Sequence, residues 1–305
     1  MHKIDIPESG IVKEIPSTID EMNEEQYLFF IGLVLRHLEG ELSIDKLKML
    51  LAYKLLEINM NPKFYLFDQE IKDEIWQNIY VISQVLNSYF KVEQRDGKPV
   101  NVIQLNSVHN FIPCICKKYY GPADALQDVT FREYRMAHDY MRKYMIKGDE
   151  EHLNYMIAVL YRPKKRFLWL RKQFRRFNGE ERIPFTGNSN PNLLHQRVKK
   201  IAQLPLVIRY SIYLFMTGCE DYLATGEPMI GENRIKLSIL YEKSEESEDT
   251  EGIGLVGLLY SLAETKVFGS IEETDNQNLW DVMARLYQVM QNMKKMESYG
   301  KGKNI

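Results

Sequence analysis

The sequence predicts a mainly α-helical protein, a multi-helix bundle with one β-hairpin near residues 89–105, in which two helical lobes are favoured over one compact bundle. The chain of 305 residues contains only 17 glycines and 11 prolines, fewer than the many tight turns of an all-β protein require. Leu, Met, Glu, Lys and Gln are abundant, and these side chains lose little rotamer freedom in a helix. Apolar residues recur at helical spacing along most of the chain, for example at Ile71, Ile75 and Ile79.

The first part of the chain predicts an arm followed by three helices. Residues 1–20 contain two prolines and several isoleucines, and we expect an extended N-terminal arm that docks on the body or on a partner. A capping-box pattern begins the first helix, which runs from Asn23 to Leu38. Ser43 caps the second helix, and the third begins near Asp68 with a continuous apolar stripe.

A change of period after the third helix predicts the hairpin. Its strands run from Tyr89 to Arg95 and from Lys98 to Leu105, and Asp96-Gly97 between them suits the left-handed backbone of a tight turn. A lone hairpin is marginally stable in water. We therefore expect it to pack on helices or on another chain.

The remainder of the chain predicts further helices around two unusual charged stretches. The predicted helices are about 123–145, 150–161, 192–201, 205–223, 255–268 and 276–296. The predicted division is an arm at 1–20, a helical lobe with the hairpin at 21–147, and a second helical lobe at 148–305 containing the basic segment 162–177 and the acidic loop 242–251.

The basic segment combines cations with aromatic residues. Its candidate partner-binding residues are Arg162, Lys164, Lys165, Arg166, Phe167, Trp169, Leu170, Arg171, Lys172, Phe174, Arg175 and Arg176. The spacing of Phe167, Leu170 and Phe174 predicts an amphipathic and strongly cationic helix.

Three interpretations of this helix remain open. It could be a surface helix whose apolar face packs on the core, with the acidic loop 242–251 neutralising its cations. It could bind an acidic protein partner or mediate self-assembly into a homo-oligomer. It could also bind the phosphate backbone of a nucleic acid, which salt-dependent binding would reveal.

Patterns that carry catalysis or cofactor binding are weak in this sequence. Residues 252–257 match G-x-G-x-x-G, but an acidic tract rather than a strand precedes them, so a dinucleotide site is not expected. The six histidines lack the spacing of metal ligands on one helix, and Cys114 and Cys116 fit buried structural thiols. We predict no catalytic, cofactor-binding or metal-binding residues and a protein that is not an enzyme; the alternative is an enzyme with an unrecognised site.

Composition and charge place the chain in a broad class. Three cysteines cannot pair completely, so a disulfide scaffold is excluded and a reducing compartment is expected. The formal net charge of −2 predicts no global attraction to nucleic acid or to anionic membranes. We read no signal peptide and no transmembrane segment, and we expect a cytoplasmic protein without a membrane partner.

Several short stretches resemble a known class of proteins. They are the helix ending in AVLYRP at 154–163, the stretch 204–219, Val267-Phe268-Gly269 and residues 278–282. Together they resemble helical proteins of bacteriophage and prophage tail-region gene clusters, of the tail-assembly-chaperone type. The resemblance implies a non-enzymatic role in virion assembly in the cytoplasm of a bacterial host, with association with the virion left open and a tail or tape-measure protein as the partner.

Overall fold

The structure is a computed structural model that describes residues 1–6, 11–57, 67–95, 97–173, 181–183, 185, 191–230, 233–240 and 255–301. Within these ranges it contains eleven α-helices and four two-stranded antiparallel sheets, so the predicted mainly α class and the hairpin are confirmed. No helix in the described ranges combines the length and the apolar content of a membrane span.

The chain divides into two compact units. The first comprises Met1–Ser107 with Leu206–Ser211, and the second comprises Val108–Pro205 with Ile212–Ile305. The first unit thus ends at Ser107, about 40 residues before the boundary between residues 147 and 148 that the sequence predicts. The helices on either side of that predicted boundary pack against each other within the second unit.

The first unit contains three helices and two hairpins. Its elements are β1 (His2–Ile6), β2 (Ile11–Ile15), α1 (Glu24–Leu38), α2 (Ile44–Leu55), α3 (Gln69–Ser83), β3 (Phe90–Arg95) and β4 (Lys98–Ile103), with the first residues of a long helix at 206–211. α1 begins where the sequence predicts, because Asn23 Oδ1 accepts the Gln26 N–H at 2.9 Å and Gln26 Oε1 accepts the Asn23 N–H at 3.1 Å.

The N-terminal arm folds onto its own unit. Among its described residues, β1 pairs antiparallel with β2, and Ile19–Glu21 form a 3-10 turn rather than extended chain. The Ile15 side chain is fully buried, and the Tyr89 hydroxyl donates a hydrogen bond to the Pro16 carbonyl at 2.7 Å. The ring of Tyr89 also meets that of Phe30 edge to face, with centroids 5.7 Å apart, so the arm is attached to the core of α1.

The second unit is built around one buried helix. Its elements are β5 (Cys114–Ile115), β6 (Tyr119–Tyr120), α4 (Phe131–Lys147), α5 (Glu150–Leu160), α6 (Leu168–Arg171), α7 (Pro191–Ile201), the larger part of α8 (Leu206–Thr225), β7 (Met229–Ile230), β8 (Asn233–Arg234), α9 (Leu255–Glu264), α10 (Ile271–Asp275) and α11 (Leu279–Lys301). α4 and α7 both pack on α5. Every side chain from Met156 to Leu160 is buried, because this stretch of α5 is apolar on all sides.

The start of α4 differs from the prediction. The sequence predicts that this helix begins at about Ala123. In the structure it begins at Phe131, after a capping box between Thr130 and Glu133. Residues 124–126 form a short 3-10 turn instead, with a left-handed backbone at Ala125 and Leu126. Side chains from elsewhere hold this turn, since the Trp280 indole N–H donates to the Ala125 carbonyl at 2.9 Å.

Candidate functional site: a basic–aromatic loop

The predicted amphipathic helix of the basic segment is wrong over residues 162–167. Arg162 and Lys164 form isolated antiparallel bridges there, and Leu168–Arg171 is the helical part of the described residues 162–173. Pro163 supplies the physical reason. A residue before proline is disfavoured in the α region, and proline itself cannot donate the hydrogen bond that continues α5.

The two ends of the segment's loop are held together by backbone hydrogen bonds. Residues 163–165 run beside residues 181–183, where the Ile183 N–H donates to the Pro163 carbonyl and the Lys165 N–H donates to the Glu181 carbonyl, each at 2.8 Å. On the other side, Arg162 exchanges backbone hydrogen bonds with Tyr120 of β6 at 2.8 and 3.0 Å. We call this pairing the neck and residues 166–180 the basic–aromatic loop; 166–173 is the part that the structure describes.

Arg162 belongs to the core, whereas the sequence predicts it among the partner-binding cations. Its side chain is 2% exposed, and its Nη2 lies 2.5 Å from Oε1 of Glu133, which is 1% exposed. Its Nη1 also donates to the Ile183 carbonyl of the neck. A buried charge needs such a partner, because desolvation of an unpaired ion is very costly. Arg162 is therefore removed from the predicted partner-binding set.

Two further arginines, which the sequence analysis did not single out, stabilise the neck. Arg182 is 2% exposed; it donates to the Leu160 carbonyl at 3.1 Å and to the Asp128 carbonyl at 2.8 Å. Arg197 donates to the Ala158 carbonyl at 2.5 Å. Both cations thus meet carbonyls at the C-terminal end of α5, where the helix dipole favours positive charge.

The described part of the basic–aromatic loop exposes three large apolar side chains. Phe167 and Trp169 are each 68% exposed, and Leu170 is 41% exposed. Phe167 has a left-handed backbone with φ of 57°, which turns the chain from the neck into α6. The apolar face expected to pack on the core is thus exposed at Phe167 and Leu170.

The cations around the loop are partly neutralised. Lys164 Nζ and Lys172 Nζ lie 3.0 and 2.5 Å from the two carboxylate oxygens of Glu181. Hydrogen bonds from Lys172 and then Lys164 lower the pKa of this carboxyl group below its usual value. Lys164 also lies over the ring of Tyr120, 4.4 Å from its centroid. These contacts hold Lys164 and Lys172 against Glu181.

Some of the other predicted residues of the segment are described by the structure and some are not. Among the described residues, Arg166 is exposed, Lys165 is half-buried and Arg171 lies in α6. Phe174, Arg175 and Arg176 lie outside the described residues, as does the acidic loop 242–251. Neutralisation of the basic segment by that acidic loop therefore stays a prediction.

A second polar cluster lies between α4 and α8. Burial raises the pKa of the Glu220 carboxyl group to about 7, and Oε1 of Glu220 lies 3.7 Å from Nε2 of His138. Burial also lowers the pKa of His138, and the nearby charge of Arg142 lowers it further. A carboxyl group that titrates near neutrality is a property of catalytic acids. Neither group lines the cleft at Tyr222 and Trp280.

An aromatic cleft of about 770 Å³ lies elsewhere in the second unit. Tyr222 and Trp280 line it, with ring centroids 6.1 Å apart, and Met229 and Arg234 lie at its rim. The polar side chains that line it include Gln127, Glu227 and Asn278. Across the described ranges, no three His, Cys, Asp or Glu side chains come together as metal ligands would.

The remaining sequence motifs are placed as follows. Gly252 and Gly254 lie outside the described residues, and Gly257 lies within α9. Cys116 is exposed on the turn between β5 and β6, so the expectation of a buried thiol is wrong there, whereas Cys114 is half-buried. A comparison with protein-family models, curated proteins and solved structures found nothing that matches this chain.

Proposed function

We propose that the chain is a non-enzymatic, chaperone-like assembly protein that holds a protein partner through Phe167, Trp169 and Leu170 of the basic–aromatic loop. One observation carries the proposal: three large apolar side chains are exposed together on a loop whose ends are clamped. Aromatic residues dominate the binding energy of protein interfaces. The clamped neck reduces the conformational entropy that a free loop would lose on binding.

The surroundings of the loop indicate the chemistry of the partner. Cations flank the apolar side chains, so a partner with an apolar pocket and an acidic rim is complementary to this surface. Leu170 favours a protein over a nucleic acid, because an aliphatic side chain does not stack on bases. The pairing of Lys164 and Lys172 with Glu181 also reduces the charge available to a phosphate backbone.

The resemblance to phage tail-region proteins supplies a specific form of this proposal. A tail-assembly chaperone holds an aggregation-prone tape-measure protein, and exposed apolar side chains beside cations suit that task. The order of genes around the coding sequence tests this form directly. Neighbouring genes for tube and tape-measure proteins support it, whereas neighbouring genes for metabolic enzymes contradict it.

The binding test compares two pairs of substitutions. The first variant carries Trp169→Ser and Leu170→Ser, and the matched control carries Met145→Ser and Ile146→Ser on α4, where the two side chains are 61% and 77% exposed. Each tagged protein is used to capture partners from the native cells, and the affinity for the captured protein is then measured with purified components. A hot-spot residue contributes about 2 kcal/mol, so the loop variant should bind about 30-fold more weakly or worse. Equal affinities of both variants would refute the role of the loop.

Nucleic-acid binding is the second candidate function, because Phe167 and Trp169 lie between cations as in stacking platforms for single strands. Fluorescence titration with random-sequence RNA or DNA at two salt concentrations tests it. Tight binding whose affinity falls steeply with salt, and which Trp169→Ser weakens, would replace the protein-binding proposal with this one.

A further inference from the structure

Among the residues that the structure describes, the β3–β4 hairpin of the first unit is only partly covered. None of its side chains is buried among those that the structure describes between Phe90 and Ile103. Val92 is 63% exposed and Val100 is 38% exposed. An isolated hairpin is marginally stable in water, and its outer edges carry unpaired backbone groups.

The pairing register identifies the backbone groups on the outer edge of β3. Tyr89 lies opposite Gln104 in continuation of the register, and the Gln104 N–H donates to the Tyr89 carbonyl at 2.8 Å. Hydrogen-bonded pairs alternate with non-hydrogen-bonded pairs in an antiparallel ladder. Lys91 and Glu93 therefore face β4 with their backbone groups, whereas Val92 and Gln94 direct theirs outward. The backbone of Phe90 also faces outward. Its N–H donates to the Asn87 carbonyl, so only the Phe90 C=O is left for pairing at this edge.

The two edges of the hairpin differ in their capacity for further pairing. Pro99 of β4 lies opposite Gln94, at a position whose backbone faces outward. Proline has no N–H to donate, so it blocks addition of a strand along β4. β3 contains no proline. Among the described residues, the edge of the hairpin that can accept a further strand is therefore that of β3.

The sequence of β3 is complementary to itself about Val92. Two β3 strands can pair antiparallel about a two-fold axis at Val92. In that pair, the N–H of each Val92 donates a hydrogen bond to the C=O of the other. The Gln94 N–H of each copy then meets the Phe90 carbonyl of the other. Lys91 of each copy lies opposite Glu93 of the other at the closely spaced position, where Cα atoms are about 4.5 Å apart and side chains interact most.

We propose that β3 pairs with β3 of a second copy of this chain, which joins two hairpins into one four-stranded antiparallel sheet. The pairing is isologous and closed, so it produces a dimer rather than a filament. It lies in the first unit and is independent of the basic–aromatic loop. Failure of this proposal would leave the proposed function unaffected.

The test measures the mass of the full-length chain by sedimentation velocity over a concentration series. The wild type should form a dimer. Val92→Pro removes an outward N–H of β3, and the matched control Asn101→Pro removes an outward N–H of β4 opposite it. Val92→Pro should dissociate the dimer and Asn101→Pro should preserve it.

Charge reversal tests the register without depending on proline. Lys91→Glu places like charges opposite each other at two symmetric positions, and the dimer dissociation constant should rise by about 10-fold or more. Adding Glu93→Lys to that variant restores opposite charges and should restore the dimer. If both proline variants dissociate the dimer, restoration by the double charge reversal still supports the proposal and its absence overturns it. A monomeric wild type, or open-ended oligomers, would also overturn it.

Discussion

The buried ion pair between Arg162 and Glu133 gives the sharpest prediction about stability. The substitution Arg162→Met keeps most of the side-chain volume but leaves the Glu133 carboxylate buried at 1% exposure. Glu133 still accepts a hydrogen bond from the Thr130 N–H at 3.1 Å, within the capping box of α4. Removing one partner of a buried pair costs about 3–5 kcal/mol, because the other charge is left uncompensated.

The cost should be visible in thermal unfolding followed by circular dichroism. For a unit of this size, 1 kcal/mol shifts the melting temperature by about 2–4 °C, so we expect a decrease of about 6–20 °C. Arg166→Met is the matched control, since Arg166 is an exposed arginine of the same segment, and its effect should stay within about 0.5 kcal/mol.

A double-mutant cycle distinguishes loss of the ion pair from loss of packing. Glu133→Gln removes the negative charge and keeps an oxygen that can accept the Thr130 N–H. The double variant Arg162→Met with Glu133→Gln should therefore be more stable than Arg162→Met alone. The reasoning is refuted if Arg162→Met costs less than about 1 kcal/mol, or if the two substitutions destabilise the protein additively.

Two further substitutions test other parts of the second unit. Burial raises the pKa of Glu220 to about 7 from an ordinary value of 4.5, so the folded state binds this proton more tightly than the unfolded state. The resulting stability is fully present below about pH 4.5 and is lost as the pH rises through about 7. In urea unfolding, the wild type should therefore lose about 1–3 kcal/mol of stability relative to Glu220→Gln between pH 4.5 and pH 8. Parallel pH profiles of the two proteins would contradict this. Gly121→Ala should destabilise the protein by about 1–3 kcal/mol, because a Cβ there would lie 2.6 Å from Asn110 Nδ2 and from Tyr161 Cζ. The control Gly32→Ala in α1 places a Cβ that meets nothing within 4 Å, and it should stabilise the protein. Equal effects of the two substitutions in thermal unfolding would refute the packing argument.

Local signals made much of the fold predictable from the sequence. The Asn23 capping box and the Ser43 cap each act within a few residues, so the helix starts that they predict agree with the structure. The strands on either side of the predicted turn end at Arg95 and begin at Lys98, as the sequence predicts. Local free energies of this kind are readable because both partners lie on the same turn of chain.

Contacts between distant residues explain where prediction failed. The start of α4 moved because the Trp280 indole, far along the chain, holds the left-handed turn at Ala125. The basic segment failed as a helix because its backbone pairs with Tyr120 on one side and with residues near Glu181 on the other. Helical spacing of Phe167 and Leu170 cannot reveal this competition, since periodicity describes only what a helix would bury if it formed.

The candidate site shows why a run of cations is ambiguous in a sequence. Arg162 and the exposed Arg166 carry the same charge and lie four positions apart, yet one is a core ion-pair partner and the other faces solvent. A variant that neutralises the whole segment would break the neck and the surface together, and a loss of binding would then have two causes. Substitutions confined to the exposed Trp169 and Leu170 separate them, because these side chains can be removed while Arg162 and Arg182 still hold the neck. Binding measured on such variants therefore reports the surface itself.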